Sequence, residues 1–309
     1  MKNSRYKISQ KVLIFWTLFI GIGAVVGALW MIIDPSGISM GMNGVLPYFA
    51  VLPFAETLFA DLTFPGWALL VVNGITNLTA SVLLFKDKKL GIVLGGVFGI
   101  TLMMWITIQF CILPSNFMST IYFDFGIFQA IAGYATWVFR KQKEFHFDSA
   151  DYQNVGTNKT KLVVYFSRMG YVKKVAHQIA DKTGAELCEI VTTEKIDGTL
   201  GFLWCGRYGM HCWGMSIETT EIDLSAYDEV TICSPIWVFS ICAPIREFLK
   251  QSAGKIQNVN YVLVHFTNGR YKKVARQADE ILGTTHKKLV NVRCRMGNFK
   301  CIDQGEKKI

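Results

Sequence analysis

The sequence predicts two parts of different fold class. Residues 1–140 are expected to form a bundle of four transmembrane α-helices, and residues 161–309 an α/β unit with a five-stranded, doubly wound parallel sheet. The first 140 residues contain only 8 of the 32 Lys and Arg and 5 of the 23 Asp and Glu, between long apolar runs. The second part has an ordinary globular charge density and alternates strand-length apolar runs with amphipathic helical patterns. A polar stretch at 141–160 is the predicted linker.

Four apolar stretches are long enough to cross a bilayer, which takes roughly 20 residues. They are Val12–Ile33, Trp67–Phe85, Leu90–Cys111 and Phe117–Phe139. The first is longer than the apolar core of a signal peptide and lacks a clean A-x-A cleavage site, so we interpret it as a retained helix.

Basic residues predict the orientation of these spans. They cluster before the first span, between the second and third, and after the fourth, whereas the connections Asp34–Pro65 and Leu113–Thr120 contain no Lys or Arg. Because positive charge is retained on the inner side, we expect a multi-pass protein of the cell membrane with both termini in the cytoplasm. The clusters are Lys2, Arg5, Lys7 and Lys11; Lys86, Lys88 and Lys89; and Arg140, Lys141 and Lys143.

Few polar residues interrupt the predicted spans: Asn73, Asn77, Gln109, Asp124 and Gln129. Polar groups in hydrocarbon are expected to face the bundle interior, where they join helices by hydrogen bonds or line a ligand path. We expect the amides to join helices and Asp124 to reach the membrane surface. The stretch Phe54–Trp137 resembles small four-helix membrane proteins of bacteria, a likeness that brings no assigned chemistry.

The second part reads as alternating strands and helices, which indicates a parallel sheet covered on both faces. The predicted strands are Leu162–Phe166, Glu186–Ile190, Glu229–Cys233, Tyr261–Phe266 and Leu289–Cys294. The predicted helices are Val172–Thr183, Pro244–Gln251 and Tyr271–Leu282. Ligands of such sheets bind outside the carboxyl ends of the strands, and loops at 167–172, 234–240 and 267–269 follow three of these ends.

Two of these loops lie within longer motifs. The segment YFSRMGYVKKVAHQIADKTGA, from Tyr165, resembles the pattern YFSRTGNTxxxAxxIAxxxGA of the flavodoxin family. The segment YDEVTICSPIWVFSICAPIREFL, from Tyr227, resembles that family's YDxVxxGxPIWxxxxxxPxxxFL. Two spaced motifs in the same order are more specific than either alone, and the likeness covers about 145 residues. We therefore expect a flavodoxin-like domain.

The resemblance implies a site for flavin mononucleotide (FMN). It places one loop around the phosphate, a second beside the isoalloxazine with Trp237 as its aromatic neighbour, and a third on the opposite side. The implied cofactor-binding residues are Ser167, Arg168, Met169, Gly170, Tyr171 and Val172; Pro235, Ile236, Trp237 and Val238; and Thr267, Asn268 and Gly269.

The sequence departs from the family at Met169 and Val172, where family members usually carry Thr. Loss of two hydroxyl donors to the phosphate weakens binding by about one to three decades. Arg168 is expected to compensate by pairing with the phosphate, since guanidinium suits phosphate oxygens. The alternative is a domain that keeps the fold without the cofactor.

The segment between the second and third strands contains Trp204, Cys205, Arg207, His211, Cys212 and Trp213. We expect a helix there that covers the cofactor site or lies against the membrane surface. Cys205, His211 and Cys212 lack the paired spacing and fourth ligand of a structural zinc site, so no metal is predicted. Cys242 follows a loop predicted to flank the flavin, and His265 lies near the end of a predicted strand on the side where a flavin would bind. A redox role for Cys242 is one alternative, and for His265 we expect a packed loop residue rather than a flavin contact.

The leading functional hypothesis is a membrane-anchored flavoprotein that passes electrons from an unidentified cytosolic donor, with a quinone in the bilayer as a candidate acceptor; no catalytic side chain is predicted. One alternative is a flavin-free module for binding or regulation. Another is a small transporter or lipid-binding bundle with a redox-sensing domain, suggested by Asn73, Asn77 and Gln109. The net charge of +9 shows no basic stripe with interleaved aromatic residues, so we expect anionic lipid rather than nucleic acid as partner.

Overall fold

The structure is a computed structural model that describes residues 2–219 and 222–303. The chain divides into two compact units, Met1–Glu144 and Phe145–Ile309. We call them the helical unit and the α/β unit.

The helical unit consists of α1 (Lys2–Ile33), α2 (Thr63–Leu69), α3 (Thr76–Phe85), α4 (Lys89–Ile112) and α5 (Phe117–Glu144). A π-helical turn, Leu70–Ile75, connects α2 to α3 without a break, and 3₁₀ turns at Ile38–Met40 and Asn43–Val51 lie between α1 and α2.

Three helices among the described residues are long and apolar enough to cross a membrane: Ser4–Ile33, Thr63–Phe85 and Lys89–Ile112. Helix α5 has 28 residues. Its polar side chains, which include Asp124 and Gln129, keep it less apolar than the other three. A fourth membrane span therefore stays a prediction. The structure shows that this part of the chain is helical over Phe117–Glu144.

Helices α4 and α5 pack through a glycine seam. A Cβ atom at Gly133 would lie 2.3 Å from the Cα atom of Gly96, and one at Gly99 would lie 2.7 Å from the carbonyl oxygen of Gly126. Backbone therefore meets backbone, as in helix pairs that associate in lipid by close packing.

The buried amides connect three helices. The Gln129 side chain of α5 donates from Nε2 to Oδ1 of Asn77 at 2.7 Å and to the Gly95 carbonyl of α4 at 2.7 Å. The Asn77 amide donates to the Asn73 carbonyl at 2.8 Å, within the π-helical turn. Asn73, Asn77 and Gln129 are all at most 1% exposed. The contacts of Asn77 and Gln129 agree with the prediction that the amides join helices, whereas the buried Asn73 side chain makes no hydrogen bond to the described residues. Asp124 is exposed.

The three basic clusters lie at one end of the helical unit. Arg140 in α5 donates to the Tyr6 hydroxyl at 3.1 Å and to Asp87, in the turn between α3 and α4, at 3.1 Å. The Tyr6 hydroxyl of α1 donates to Asp87 as well, and Lys89 pairs with Glu144 at 3.1 Å. This common end is what the charge pattern requires; its cytoplasmic placement stays a prediction.

The α/β unit contains β1 (Asn158–Tyr165), α6 (Tyr171–Thr183), β2 (Ala185–Glu189), α7 (Gly198–His211), β3 (Glu229–Trp237), β4 (Ser240–Ile241), α8 (Ala243–Gln251), β5 (Val259–His265), α9 (Lys272–Leu282), β6 (Lys288–Arg295) and β7 (Asn298–Cys301). The sheet order is β2-β1-β3-β5-β6-β7. Five strands are parallel to one another: β2, β1, β3, β5 and β6. Strand β7 is antiparallel to β6. The α/β prediction is confirmed, with antiparallel additions at β7 and β4. Without the two-residue β4, the parallel strands follow the flavodoxin-like order 2-1-3-4-5.

Helices cover both faces of this sheet. Helices α8 and α9 bury Ile245, Leu249 and Ala278 on one face, and α6 buries Val175 and Ala176 on the other. Residues from the predicted linker complete the second face: Val155 packs against its core, and the Phe145 ring lies 4.6 Å from that of Tyr171.

Candidate cofactor-binding site

A cavity of about 390 Å³ opens at the carboxyl ends of the parallel strands. Its volume lies within the roughly 300–1,000 Å³ of typical ligand pockets. The walls come from the loop after β1, the end of β3, the end of β5 and one side of α7. The lining residues are Ser167, Arg168, Met169, Tyr171, Val172, Phe202, Cys205, Gly206, Pro235, Ile236, Trp237, Val238, Val264, His265, Phe266 and Cys294.

The loop after β1 forms a preorganised turn that opens α6. The Ser167 hydroxyl accepts from the Gly170 N–H at 3.1 Å, and Gly170 adopts φ 88°, a left-handed conformation that glycine favours. Helix geometry leaves the N–H groups of the next three residues, Tyr171, Val172 and Lys173, without intrahelical partners. This end of α6 therefore offers an anion backbone donors and the positive pole of a helix dipole.

The side chains of Arg168 and Val172 make contacts that are unrelated to phosphate binding. The Arg168 guanidinium donates to the Ile196 carbonyl at 2.8 Å and to the Gly198 carbonyl at 2.7 Å, so it holds the start of α7. Val172 is 4% exposed and belongs to the core beneath α6. The proposed Arg168–phosphate pair is a prediction that has to compete with these two hydrogen bonds.

The region after the third strand is more regular than the sequence suggested. Strand β3 continues to Trp237, and a tight turn at Val238 and Phe239 leads into β4, which pairs Ser240 with Trp237. Both turn residues have positive φ, 44° and 60°. This conformation suits a two-residue hairpin but is strained for residues with branched or bulky side chains. The Trp237 ring meets Phe166 edge to face at 5.6 Å.

Helix α7 closes one side of the cavity. A Cβ atom at Gly209 would lie 2.8 Å from the Trp237 carbonyl oxygen, and one at Gly201 would lie 2.1 Å from the Ile196 carbonyl carbon. Gly201 and Gly209 on the inward side of α7 therefore leave no room for a side chain, because neighbouring backbone lies against them. Glu194 fixes the helix further by accepting from Trp204 at 2.6 Å and from Tyr208 at 2.7 Å.

The end of β5 brings His265 and Phe266 to the cavity, whereas the predicted Thr267, Asn268 and Gly269 are not among its lining residues. The Thr267 hydroxyl accepts from the Gly269 N–H at 3.2 Å, and Asn268 accepts from Arg293 at 2.6 Å. These contacts form a compact turn beside the cavity. Nδ1 of His265 lies 3.1 Å from the Thr267 carbonyl, and burial lowers the pKa of this imidazole.

The thiols near the cavity are protonated at neutral pH. Burial raises the pKa of Cys205 to about 11 and that of Cys242 to about 12. Cys242 is fully buried and accepts a contact from the Ser234 hydroxyl at 3.3 Å, so it lies in the core and not in the cavity lining. Within residues 2–219 and 222–303, no group of three or more His, Cys, Asp or Glu is arranged to hold a metal ion.

Nine of the thirteen predicted binding residues line the cavity, and Gly170 shapes the loop beside them. The sequence analysis did not assign Phe202, Cys205, Gly206, Val264, Phe266 and Cys294 to the site. Phe266 could have been found, because it ends a predicted strand at the binding edge. The α7 contribution depends on a helix whose direction no local pattern fixes.

The helical unit has a cavity of its own, of about 250 Å³, between the 3₁₀ turn Asn43–Val51 and helices α1, α2 and α4. Its lining is apolar except for the Gln109 amide and the Trp105 indole. The Gln109 side chain accepts a long hydrogen bond, 3.5 Å, from the Ser119 hydroxyl of α5.

Comparison with solved structures finds similar α/β chains. A flavoprotein in complex with FMN from Lactobacillus acidophilus NCFM is 23% identical, with a TM-score of 0.38, over 43% of this chain and 93% of that one. A protein described as a flavoprotein from Bacteroides uniformis ATCC 8492 is 19% identical, with a TM-score of 0.38, over 45% of this chain and 96% of that one. No family model matches the chain, and no curated protein matches it.

Proposed function

We propose that the α/β unit binds FMN in the cavity at the carboxyl edge of its sheet and acts as a membrane-anchored electron carrier. The observation that carries this proposal is the juxtaposition of the Ser167–Gly170 turn, which opens α6, with an apolar slot beside Trp237. One end suits a phosphate and the other an aromatic ring system.

The residues fit the two halves of FMN. The backbone N–H groups that begin α6 and the Ser167 turn would hold the phosphate. The Trp237 ring, held by Phe166 at 5.6 Å, would lie along the isoalloxazine, with Phe202 and Val264 among the other apolar walls. Bound flavin would supply the one- and two-electron chemistry.

The chain's own residues position and shield the cofactor. Helix α7 and the β3–β4 turn keep water from two sides of the slot. His265 is neutral near pH 7 because burial lowers its pKa, so it adds no charge beside the ring. The electron acceptor we favour is a quinone, because three helices of the same chain are long and apolar enough to lie in the bilayer where quinones dissolve.

A flavin-free binding module is the second candidate, and two observations favour it. Val172 belongs to the core, and the Arg168 guanidinium donates to two backbone carbonyls. Neither side chain is thus set up to replace a lost hydroxyl donor.

The visible spectrum of the full-length protein in detergent separates the two candidates. It is recorded as purified, and again after addition of FMN and desalting. We expect retained flavin bands in the wild type and their loss in Trp237→Ala. Trp213→Ala is the matched control, because Trp213 is 45% exposed and is absent from the cavity lining. A wild type that stays colourless, with a native circular dichroism spectrum, would favour the flavin-free module.

A further inference from the structure

Helix α7 has an outward surface that is apolar and exposed. Leu200, Leu203 and Met210 recur there at helical spacing and are 82%, 62% and 63% exposed. The opposite side holds Gly201, Cys205 and Gly209, all buried against the α/β unit. The helix is thus fixed on its small-residue side, while its large apolar side chains face outward.

The charges and aromatic residues on α7 follow the pattern of an interfacial helix. From Gly198 to His211 the helix contains no Asp or Glu. The Arg207 guanidinium lies over the rings of Trp204, at 5.6 Å, and Trp213, at 5.7 Å. The adjacent carboxylate, Glu194, accepts from Trp204 and Tyr208. An exposed Arg with Trp, Phe and Leu neighbours matches the boundary between headgroups and acyl chains.

The apolar surface continues around the mouth of the cavity. Phe202, Val238, Phe239 and Phe266 are 62%, 45%, 74% and 56% exposed. Val238 and Phe239 hold strained positive φ angles in the turn that presents them, and such strain is often retained where it serves a function. Exposed apolar side chains that cluster at one place are typical of interaction sites.

We infer that the outward surface of α7, with the β3–β4 turn, docks on an anionic lipid surface. Lipid is the occupant we choose for two reasons: the chain carries three helices apolar enough to cross a bilayer, and the charge on α7 is complementary to anionic headgroups. Because Phe202 and Val238 belong both to this surface and to the cavity lining, docking would open the cavity toward lipid. The inference does not depend on bound flavin.

The test measures the depth of a nitroxide label in full-length protein, reconstituted in nanodiscs that contain anionic lipid. Cys111 and Cys212, the exposed cysteines among the described residues, are first replaced by Ser. The label is attached in the variant Leu203→Cys. In a separate chain it is attached in Lys288→Cys, an exposed position at the start of β6. Collisions with oxygen and with a water-soluble nickel chelate give the depth.

We expect the label at position 203 to lie about 5–10 Å below the headgroups, the depth of an interfacial helix, and the label at position 288 to remain in water. A label at position 203 with the water accessibility of the control would overturn the inference. A label shielded from both reagents in a concentration-dependent way would indicate a protein partner, which overturns it as well. Flavin-free protein should give the same depths, so a failed FMN test leaves this result interpretable.

Discussion

Both units bury aliphatic side chains, but they differ in the other contacts that join their elements. The α/β unit buries aliphatic side chains on both faces of its sheet, such as Ile232 and Leu263 on one face and Val163 and Val264 on the other. The helical unit buries glycines at the α4–α5 contact and an amide chain from Gln129 to Asn73. Large apolar side chains of the same two helices stay 46–64% exposed: Val97, Ile100, Met104 and Tyr134. In water, apolar burial drives folding. In lipid it does not, so association depends on close packing and hydrogen bonds.

The largest loss of stability is expected from a larger side chain at the α4–α5 contact, where the two backbones touch. In Gly133→Val the new side chain would meet the Gly96 backbone, since even a Cβ atom there would lie 2.3 Å from Cα. We expect a loss of more than about 3 kcal/mol and failure of α4 and α5 to associate, because backbone has to move. The measurement is the yield and thermal midpoint of monodisperse protein in detergent. Gly23→Ala is the control, since its Cβ atom would make only a 3.6 Å contact; equal losses in both variants would contradict the seam.

The next largest effect compares the loss of a buried Ile side chain in the α/β unit with the loss of an exposed one in the helical unit. Ile232→Ala, at a fully buried position in β3, should cost about 2–5 kcal/mol through lost burial and a residual cavity. Ile100→Ala removes the same atoms from a 51% exposed side chain of α4, and in lipid we expect little change. Urea midpoints in nanodiscs compare the two. A large loss in Ile100→Ala would place that surface of α4 in a protein contact.

A smaller effect is expected from the amide chain. Gln129→Leu removes two hydrogen bonds, to Asn77 and to the Gly95 carbonyl, and interhelical bonds of this kind are worth about 0.6–2 kcal/mol. A double-mutant cycle with Asn77→Leu measures the coupling between the side chains. Additive losses would show that the two amides act independently.

The smallest effect is a pH dependence confined to the α/β unit. His177 packs against the rings of Phe147, Tyr152 and Tyr165, and burial lowers its pKa below the ordinary value of 6.5. The unfolded chain therefore binds a proton at a pH where the folded one does not, so stability is complete above pH 6.5 and falls as the pH drops below it. Thermal midpoints at several pH values, for the wild type and His177→Phe, check this.

The variant should show a shallower decline, with the remainder coming in part from His265, whose pKa burial also lowers. An unchanged decline would mean that His177 does not contribute. The helical unit offers no equivalent buried histidine among the described residues, so its hydrogen-exchange protection should not follow the same curve.

Sequence patterns predicted the α/β class, the strands and the binding edge because they depend on local periodicity. The extension of β3 to Trp237 was missed because Pro235 lacks the N–H of a regular strand residue and reads as a loop. The Gly96–Gly133 contact could not be assigned, since glycine spacing does not say which helix lies opposite. Likewise, the hydrogen bonds of Arg168 depend on the path of residues 196–198, which carry no motif.

The position of the Phe145 ring has a consequence for how the α/β unit responds to force. A Cβ atom added at Gly170 would lie 3.4 Å from the Phe145 ring, and one added at Gly297 would lie 2.9 Å from it. The chain thus enters the α/β unit beside the turn that opens α6, and not at a distant corner of the sheet. Tension applied to the chain before Phe145 would act first on that turn. In a single-molecule pulling experiment, we therefore expect the proposed FMN to be released before the sheet unfolds.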